Sequence, residues 1–330
     1  MIPAMRRVVC KEVGPLDQLV VEDGEAPVPG EGQVVVDVRA AGVNFVDALF
    51  VQGQYQIKPP TPFTPGSEVA GVVSALGPGV AGIAEGDRVL VQTGLGGFAE
   101  QITANALSLV PMPANLSFGQ AATLVQSYAT MLYAFTRRTT VTEGETVLVL
   151  GAGGGIGLAA IDVARALGLR TLAVASSDDK RTKALVAGAE AAIDAAEDVK
   201  LRARELGGGG VDVVVDPIGG PLAEAALRAL RVNGRYLVIG FASGEIPRLP
   251  ANQVLLNNRT VVGIDWGAWT MRQPDANRAL LAELMTLVAD GRLQPVEPTT
   301  YPLDQASTAL TDLLERRVVG KVVLVPDVAG

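Results

Sequence analysis

One stretch constrains this chain most: Thr146–Gly157, which reads T-V-L-V-L-G-A-G-G-G-I-G. A run of β-branched and leucine residues ends in a glycine cluster. An apolar helical pattern follows at once, through Ile156, Leu158, Ala159, Ile161, Val163, Ala164 and Leu167. The order is buried strand, tight turn, helix. Glycines lack a Cβ, so backbone N–H groups can close on a pyrophosphate, and the helix N-terminus adds partial positive charge. The flanking strand and helix are the context such a turn needs to bind a dinucleotide; a ligand-free strand–helix turn is the alternative.

Composition excludes several chemistries. The chain has 330 residues, no histidine and a single cysteine, Cys10. Histidine is therefore absent as base, nucleophile partner or metal ligand, and no intramolecular disulfide or cysteine-rich zinc site can form. No metal site is expected, and a Lewis-acid alcohol dehydrogenation is disfavoured. The formal net charge of -8 disfavours a nucleic-acid partner. The longest uncharged stretch, Gln101–Thr136, is interrupted by Pro111, Pro113, Asn115, Gln120 and Gln126, so no membrane span is expected. No signal peptide is visible and cysteine is scarce, which points to a reducing, cytoplasmic setting.

The first part is strand-rich. Short β-type runs at Met5–Val13, Gln33–Val43, Val69–Leu76, Asp87–Gln92 and Phe98–Thr103 are separated by Gly/Pro turns, which suggests a small, partly closed barrel. From Thr146 the chain alternates. Strands are expected at 146–150, 171–175, 191–193, 211–216, 235–240 and 260–264, with helices at 156–167, 179–187, 199–206 and 222–231. That is a doubly wound parallel sheet, and the chain is α/β. Helices follow at 274–290 and 304–316, then a lone strand at 321–325. A terminal strand needs a sheet, and the barrel is the nearest home. The expected domains are 1–126 with 268–330, and 127–267. The edge strand 260–264 is expected to be covered by a second copy, giving a homodimer.

The second strand of the parallel sheet ends Val174-Ala175-Ser176-Ser177, followed by Asp178-Asp179-Lys180-Arg181. An acid at the tip would bond a ribose 2′-hydroxyl. Here small hydroxyls (Ser176, Ser177) and Lys180 suit a 2′-phosphate, hence NADPH. The alternative pairs Lys180 and Arg181 with the two aspartates as solvated helix charges.

Seven motifs then carry a resemblance: Gly42-Val43-Asn44-Phe45-Val46-Asp47, Gly53-Gln54-Tyr55, Pro65-Gly66-Ser67-Glu68-Val69-Ala70-Gly71, Gly86-Asp87-Arg88-Val89, Gly96-Gly97-Phe98-Ala99-Glu100, the glycine turn and Gly320-Lys321-Val322-Val323-Leu324. Together they resemble the zinc-free, zeta-crystallin-like quinone oxidoreductases of the medium-chain dehydrogenase/reductase superfamily. Ser67 stands where zinc relatives carry histidine. The resemblance implies a GroES-like barrel, a Rossmann domain and an active site in the cleft between them. It implies NADPH as hydride donor and a quinone or conjugated carbonyl as acceptor.

By the same resemblance, Asn44 lies near the nicotinamide, and Tyr55 lines the substrate cleft as a proton donor or hydrogen-bond partner. Tyr55 and Asn44 are the candidate catalytic residues: backbone donors with Asn44 or Tyr55 would polarise the acceptor's carbonyl, and water or Tyr55 would supply the proton. Thr130 and Tyr133 face the cofactor, and Gly154, Gly155 and Ile156 hold the pyrophosphate. Ser176, Ser177 and Lys180 meet the 2′-phosphate. Gly240 and Phe241 flank the nicotinamide, and Arg316 closes the cofactor cleft. Two departures stand out. Asp194-Ala195 lacks the tyrosine that some relatives place over the adenine. The Asp265-Trp266-Gly267-Ala268-Trp269 segment is unlike bacterial relatives, and its tryptophans read as packing or interface residues. Asn44 and Asp47 also read as a helix cap and first-turn acid.

Three functions stay open from sequence. The first is a zinc-independent NADPH-dependent reductase of quinones or α,β-unsaturated carbonyls. The second is an enoyl or alkenal C=C reductase of the same fold. The third is a non-enzymatic NADPH-binding sensor or structural protein.

Overall fold

The computed structural model describes residues Ala4–Pro326. It forms two compact units. One holds the chain up to Val125 together with the segment from Glu297 onward; the other is Gln126–Val296.

The first unit is built on the eleven-residue Gln33–Val43 strand, which carries Val34, Val35, Val36 and Val38 in its first half and is buried along most of its length. One edge pairs antiparallel with Glu68–Leu76, and two register shifts bend that pairing. The other edge is shared. Gln101–Asn105 pairs with its first half and Val322–Val325 with its second. Arg88–Gln92 and Leu109–Pro111 extend the sheet on one side, Thr299–Pro302 on the other. The C-terminal strand thus joins the first unit's sheet, as a run of four apolar residues with nowhere else to pair requires. A hairpin of Ala4–Val9 and Val20–Glu25 is tied on by bridges from Arg7 to Ala99 and Cys10 to Phe63. The core beneath is valine-rich and includes Ala306, Ala309 and Leu310 of the Ala306–Leu314 helix.

The second unit is a six-stranded sheet, all parallel, in the order 191–194, 170–175, 146–150, 211–216, 230–238, 260–263. All five residues of Thr146–Leu150 are buried, as a strand covered on both faces demands. Strand order reverses between Thr146–Leu150 and Val211–Asp216. The crevice at the carboxyl ends of these two strands is where doubly wound sheets bind ligands. The helices Gly155–Ala166, Asp178–Val186, Val199–Leu206 and Leu222–Ala229 fall within a residue or two of the expected spans. Thr260–Gly263 is the edge strand, with Val261 exposed.

One expected boundary is corrected. Residues 268–296, assigned from sequence to the barrel domain, belong to the second unit. The Pro274–Ala289 helix buries Leu280, Leu281, Leu284, Leu287 and Val288, and Glu283 pairs with Arg137. Behind it the chain is fastened to the Gly155–Ala166 helix. Asp162, almost fully buried, accepts the Gln294 N–H at 2.7 Å, the Tyr128 hydroxyl at 3.2 Å and an Arg165 N–H at 2.5 Å. The Tyr128 phenol is held strongly in its protonated form by burial and by the adjacent Asp162 carboxylate. Among the described residues no helix is long and apolar enough to cross a membrane.

Asp162 gives a test of this packing. Asp162→Ala leaves Tyr128 and Arg165 without their shared acceptor. It is expected to cost about 3 kcal/mol in chemical denaturation, and to speed proteolysis in 274–296 before other segments.

Candidate functional site

In the second unit the glycine turn is shaped by contacts that exclude side chains. Gly151 has φ +59°, and a Cβ there would lie 2.5 Å from Ile218. A Cβ on Gly157 would lie 2.4 Å from the Gly151 carbonyl oxygen and 2.6 Å from Ala152 Cα. These are backbone atoms, so the helix can approach the strand this closely only with glycine. Gly154 differs: its Cβ would meet nothing nearer than 3.5 Å. It is the N-cap of the Gly155–Ala166 helix, which has no side-chain cap and no acid in its first turn. The first helical bond runs from Leu158 N–H to Gly154 O. The preceding amides of Gly155 and Ile156 thus sit at an uncapped helix start, which suits an anion. This space, with its bare amides, fits a dinucleotide pyrophosphate.

The neighbouring strand tip adds positive charge. A Cβ on Gly153 would collide with the Lys180 stem at 2.5 Å, so the turn and Lys180 are packed together. Ser176 is exposed, and the Ser177 hydroxyl accepts the Lys180 N–H at 3.4 Å as N-cap of the next helix. Arg181 is turned away. It pairs with Asp178, with Asp194 at 2.8 Å and with the Ala175 carbonyl. The pairing of helix charges with aspartates considered from sequence therefore holds for Arg181. Arg181 offsets Asp178, and Asp179 also lies in the first turn of this helix, next to Ser176, Ser177 and Lys180.

Gly240 and Phe241 lie at the end of the Leu230–Val238 strand, with Phe241 exposed. Their loop is laced to the one after Val211–Asp216: Ala242 N–H to Pro217 O, Ser243 N–H to Ile218 O and Gly220 N–H to Glu245 O. Asp216, buried, anchors both loops. Its carboxylate accepts the Ile218 and Gly219 N–H groups at 2.8 Å and the Tyr236 hydroxyl at 2.5 Å. Burial and Asp216 push the Tyr236 phenol well above its usual range. Sequence reasoning missed both residues as site supports; an acid ending a buried strand just before Pro-Ile-Gly-Gly was the available signal.

Thr130 donates to the Gln126 carbonyl at 2.7 Å on a helical stretch flanked by π-turns at Val125–Ala129 and Ala134–Arg138. Tyr133 packs on Trp269, ring centroids 4.7 Å apart. Burial holds its phenol protonated. These rings line a cavity of about 520 Å³ with Arg138, Asp265 and Arg272. Tyr133 ends the Thr130–Tyr133 helix, which packs against the Gly155–Ala166 helix that follows the glycine turn. Trp266 is buried and donates to Asn277.

In the first unit, Asn44 precedes the Phe45–Val51 helix and is the hub of a buried network. Its N–H donates to Asp47 Oδ2 at 2.8 Å, the reverse half of a capping box. Its side-chain amide is used at both ends. Lys321 Nζ donates to Oδ1 at 2.6 Å, and Nδ2 donates to Glu68 at 2.9 Å and Ser67 Oγ at 3.2 Å. Both amide hydrogens are therefore engaged within the cluster. Ser67 donates on to Asp47 at 3.5 Å. Asp47 is fully buried and its Oδ1 has no hydrogen-bond partner. Burial first, then Glu68, raises its carboxyl from 3.8 to about 7, against the lowering effects of the Asn44 N–H, Ser67 and Lys321.

Tyr55 is half-buried beyond the far end of the same helix. Its N–H donates to Leu49 O at 3.3 Å and its ring meets Phe50 edge-on at 4.8 Å. Asn44 and Tyr55 are thus placed by one helix. Arg316 is exposed, at φ +60° just past the Ala306–Leu314 helix. Among the described residues no group of three or more His, Cys, Asp or Glu side chains is arranged to hold a metal ion.

Comparison with known proteins agrees with this architecture. A model of the alcohol dehydrogenase GroES-like domain matches residues 30–114, and one described as zinc-binding dehydrogenase matches residues 155–284. Quinone oxidoreductase-like protein 2 of Bos taurus is 37% identical over 88% of this chain and 84% of its own length. A probable oxidoreductase from Mycobacterium abscessus superposes with TM-score 0.89 at 38% identity, covering 99% of this chain and 100% of that one. Escherichia coli quinone oxidoreductase complexed with NADPH has TM-score 0.87 at 29% identity, covering 97% and 100%.

Asp47 yields a pH test. Its folded pKa is raised, so between about pH 4 and about pH 7 unfolding releases its proton and stability falls as pH rises. The slope contributed approaches about 1.4 kcal/mol per pH unit inside that window. Asp47→Asn is expected to remove this component. Urea midpoints at pH 5, 6 and 7 measure it; an unchanged slope in the variant contradicts a raised Asp47.

Proposed function

Because this chain belongs to the quinone oxidoreductase family of the medium-chain dehydrogenase/reductase superfamily, we propose that it passes a hydride from NADPH to a quinone or an α,β-unsaturated carbonyl compound. The observation that carries the reading is the helix that starts on bare amides at Gly155 and Ile156, beside a strand tip bearing Ser176, Ser177 and Lys180. The amides bind the pyrophosphate at short range, where partial charges act strongly. Ser176, Ser177 and Lys180 bind the ribose 2′-phosphate, and the absence of an acid at the tip disfavours NADH. Thr130, Gly240, Phe241 and Arg316 serve as further cofactor contacts. NADPH, when bound, supplies the hydride, and the protein supplies orientation and electrostatics.

Tyr55 donates its hydroxyl hydrogen to the acceptor's carbonyl oxygen, since a phenol is a donor at neutral pH. Asn44, with both amide hydrogens engaged, acts as a fixed wall rather than as a donor to substrate. We also propose that the Thr260–Gly263 edge pairs with its counterpart in a second copy. Val261, Leu255 and Leu256 are exposed in the same unit and would be covered by such an assembly.

Two measurements check the reading. NADPH oxidation against a panel of quinones, enones and acyl thioesters is expected to exceed NADH oxidation, and Lys180→Ala is expected to weaken NADPH binding by roughly tenfold to fiftyfold while leaving NADH within about twofold. Equal losses for both cofactors would remove Lys180 from the 2′-phosphate. Tyr55→Phe is expected to lower kcat by about tenfold or more. Unchanged turnover with every active acceptor rules out proton donation by Tyr55.

A further inference from the structure

The Asn44 cluster contains two buried carboxyl groups, Asp47 and Glu68, and one cation, Lys321. Lys321 reaches Asn44 from 277 positions away in sequence. The backbone explains how. Val322 is paired antiparallel with Val43, so one step further along the ladder sets Lys321 beside Asn44. Its Nζ lies 2.6 Å from Asn44 Oδ1 and 3.5 Å from Glu68 Oε1, with the lysine side chain 12% exposed.

An ammonium only donates hydrogen bonds, so the end of the Asn44 amide that faces Lys321 has to be its oxygen. That choice directs Nδ2 to Ser67 and Glu68 and leaves the Ser67 hydroxyl hydrogen for Asp47. Asp47 in turn receives the N–H of Asn44, at the entry to the helix that ends next to Tyr55. The network therefore has one polarity, fixed from the two ends of the Asn44 amide by Lys321 and Glu68. Removing the ammonium takes away the donor to Asn44 Oδ1 and the cation that faces Glu68 and Asp47, so the cluster at the helix entry loses the contact that ties it to the C-terminal strand.

We propose that Lys321 is a positioning residue for the reaction: by fixing the Asn44 amide and balancing Glu68 and Asp47, it holds the Phe45–Val51 helix and, at its far end, Tyr55. The proposal rests on the functional reading above for its kinetic part, but not for its structural part. The groups facing Asp47 are Glu68 and Ser67 from the Glu68 strand and the residue before it, Asn44 from its own helix start, and Lys321 from the C-terminal strand.

The test compares wild type with Lys321→Met, Lys321→Arg and the double variant Glu68→Gln/Lys321→Met. The double variant removes both charges of the pair, so it keeps the interior neutral and remains folded if the single variant does not. Amide hydrogen exchange in 45–55 is expected to accelerate about tenfold in both methionine variants, with the second unit unchanged. Steady-state kinetics are expected to show kcat lowered by about tenfold with the KM for NADPH within about twofold. In Lys321→Met the pH profile of kcat shifts upward, because a charge that lowers Asp47 is gone. Lys321→Arg restores most of kcat.

Unchanged exchange in 45–55 in a folded methionine variant overturns the proposal whatever the activity. So does accelerated exchange with kcat and pH profile as in wild type. Wild-type protein inactive with every acceptor sinks the functional reading instead, and exchange still decides whether Lys321 holds the helix.

Discussion

Everything in the second unit depends on how closely a helix and a strand can approach at the glycine turn. A Cβ on Gly157 would lie 2.4 Å from the Gly151 carbonyl oxygen, nearer than any real Cβ can stand. Glycine there lets the Gly155–Ala166 helix begin directly over the buried Thr146–Leu150 strand, with its uncapped amides at the point where strand order reverses. The same packing brings Gly153 against the stem of Lys180, so the glycine turn and that cation are packed together. Affinity for an anionic cofactor is thus a consequence of backbone packing before any side chain is considered.

The first unit solves a different electrostatic problem. It buries two carboxyl groups with one lysine, and a buried carboxylate without full compensation is expensive. Two devices lower that cost: Lys321, delivered by the C-terminal strand, and the raised proton affinity of Asp47. With no histidine in the chain, a carboxyl shifted to about 7 is the side chain whose charge changes near neutrality at this site. The chain's acid–base behaviour there is set by burial rather than by residue type.

Much of this was legible in the sequence, for physical reasons. The parallel strands are continuous apolar runs because both faces are covered, and their bounds were readable to within a residue or two from Thr146 to Asp216. The strand Val20–Glu25 was missed because four of its six residues are Glu, Asp or Gly; it exists through pairing with Ala4–Val9, where Arg7 faces Glu22 and Arg6 faces Asp23. The assignment of 268–296 failed because an amphipathic helix does not state which core it covers. The contacts of Asp162 with Gln294 decide it, and they join residues 132 positions apart. Asn44 was identified, but the use of its amide was not, since Lys321 meets it only through strand pairing.

The central claim is a direct hydride transfer from the cofactor held at the glycine turn. It is tested most directly by turnover with NADPH stereospecifically deuterated at one or the other nicotinamide C4 position, with an active quinone or enone. Deuterium lost completely from one stereoisomer and retained in NADP⁺ from the other is the predicted result. Equal scrambling from both isomers, or no acceptor-dependent NADPH consumption at all, would contradict it.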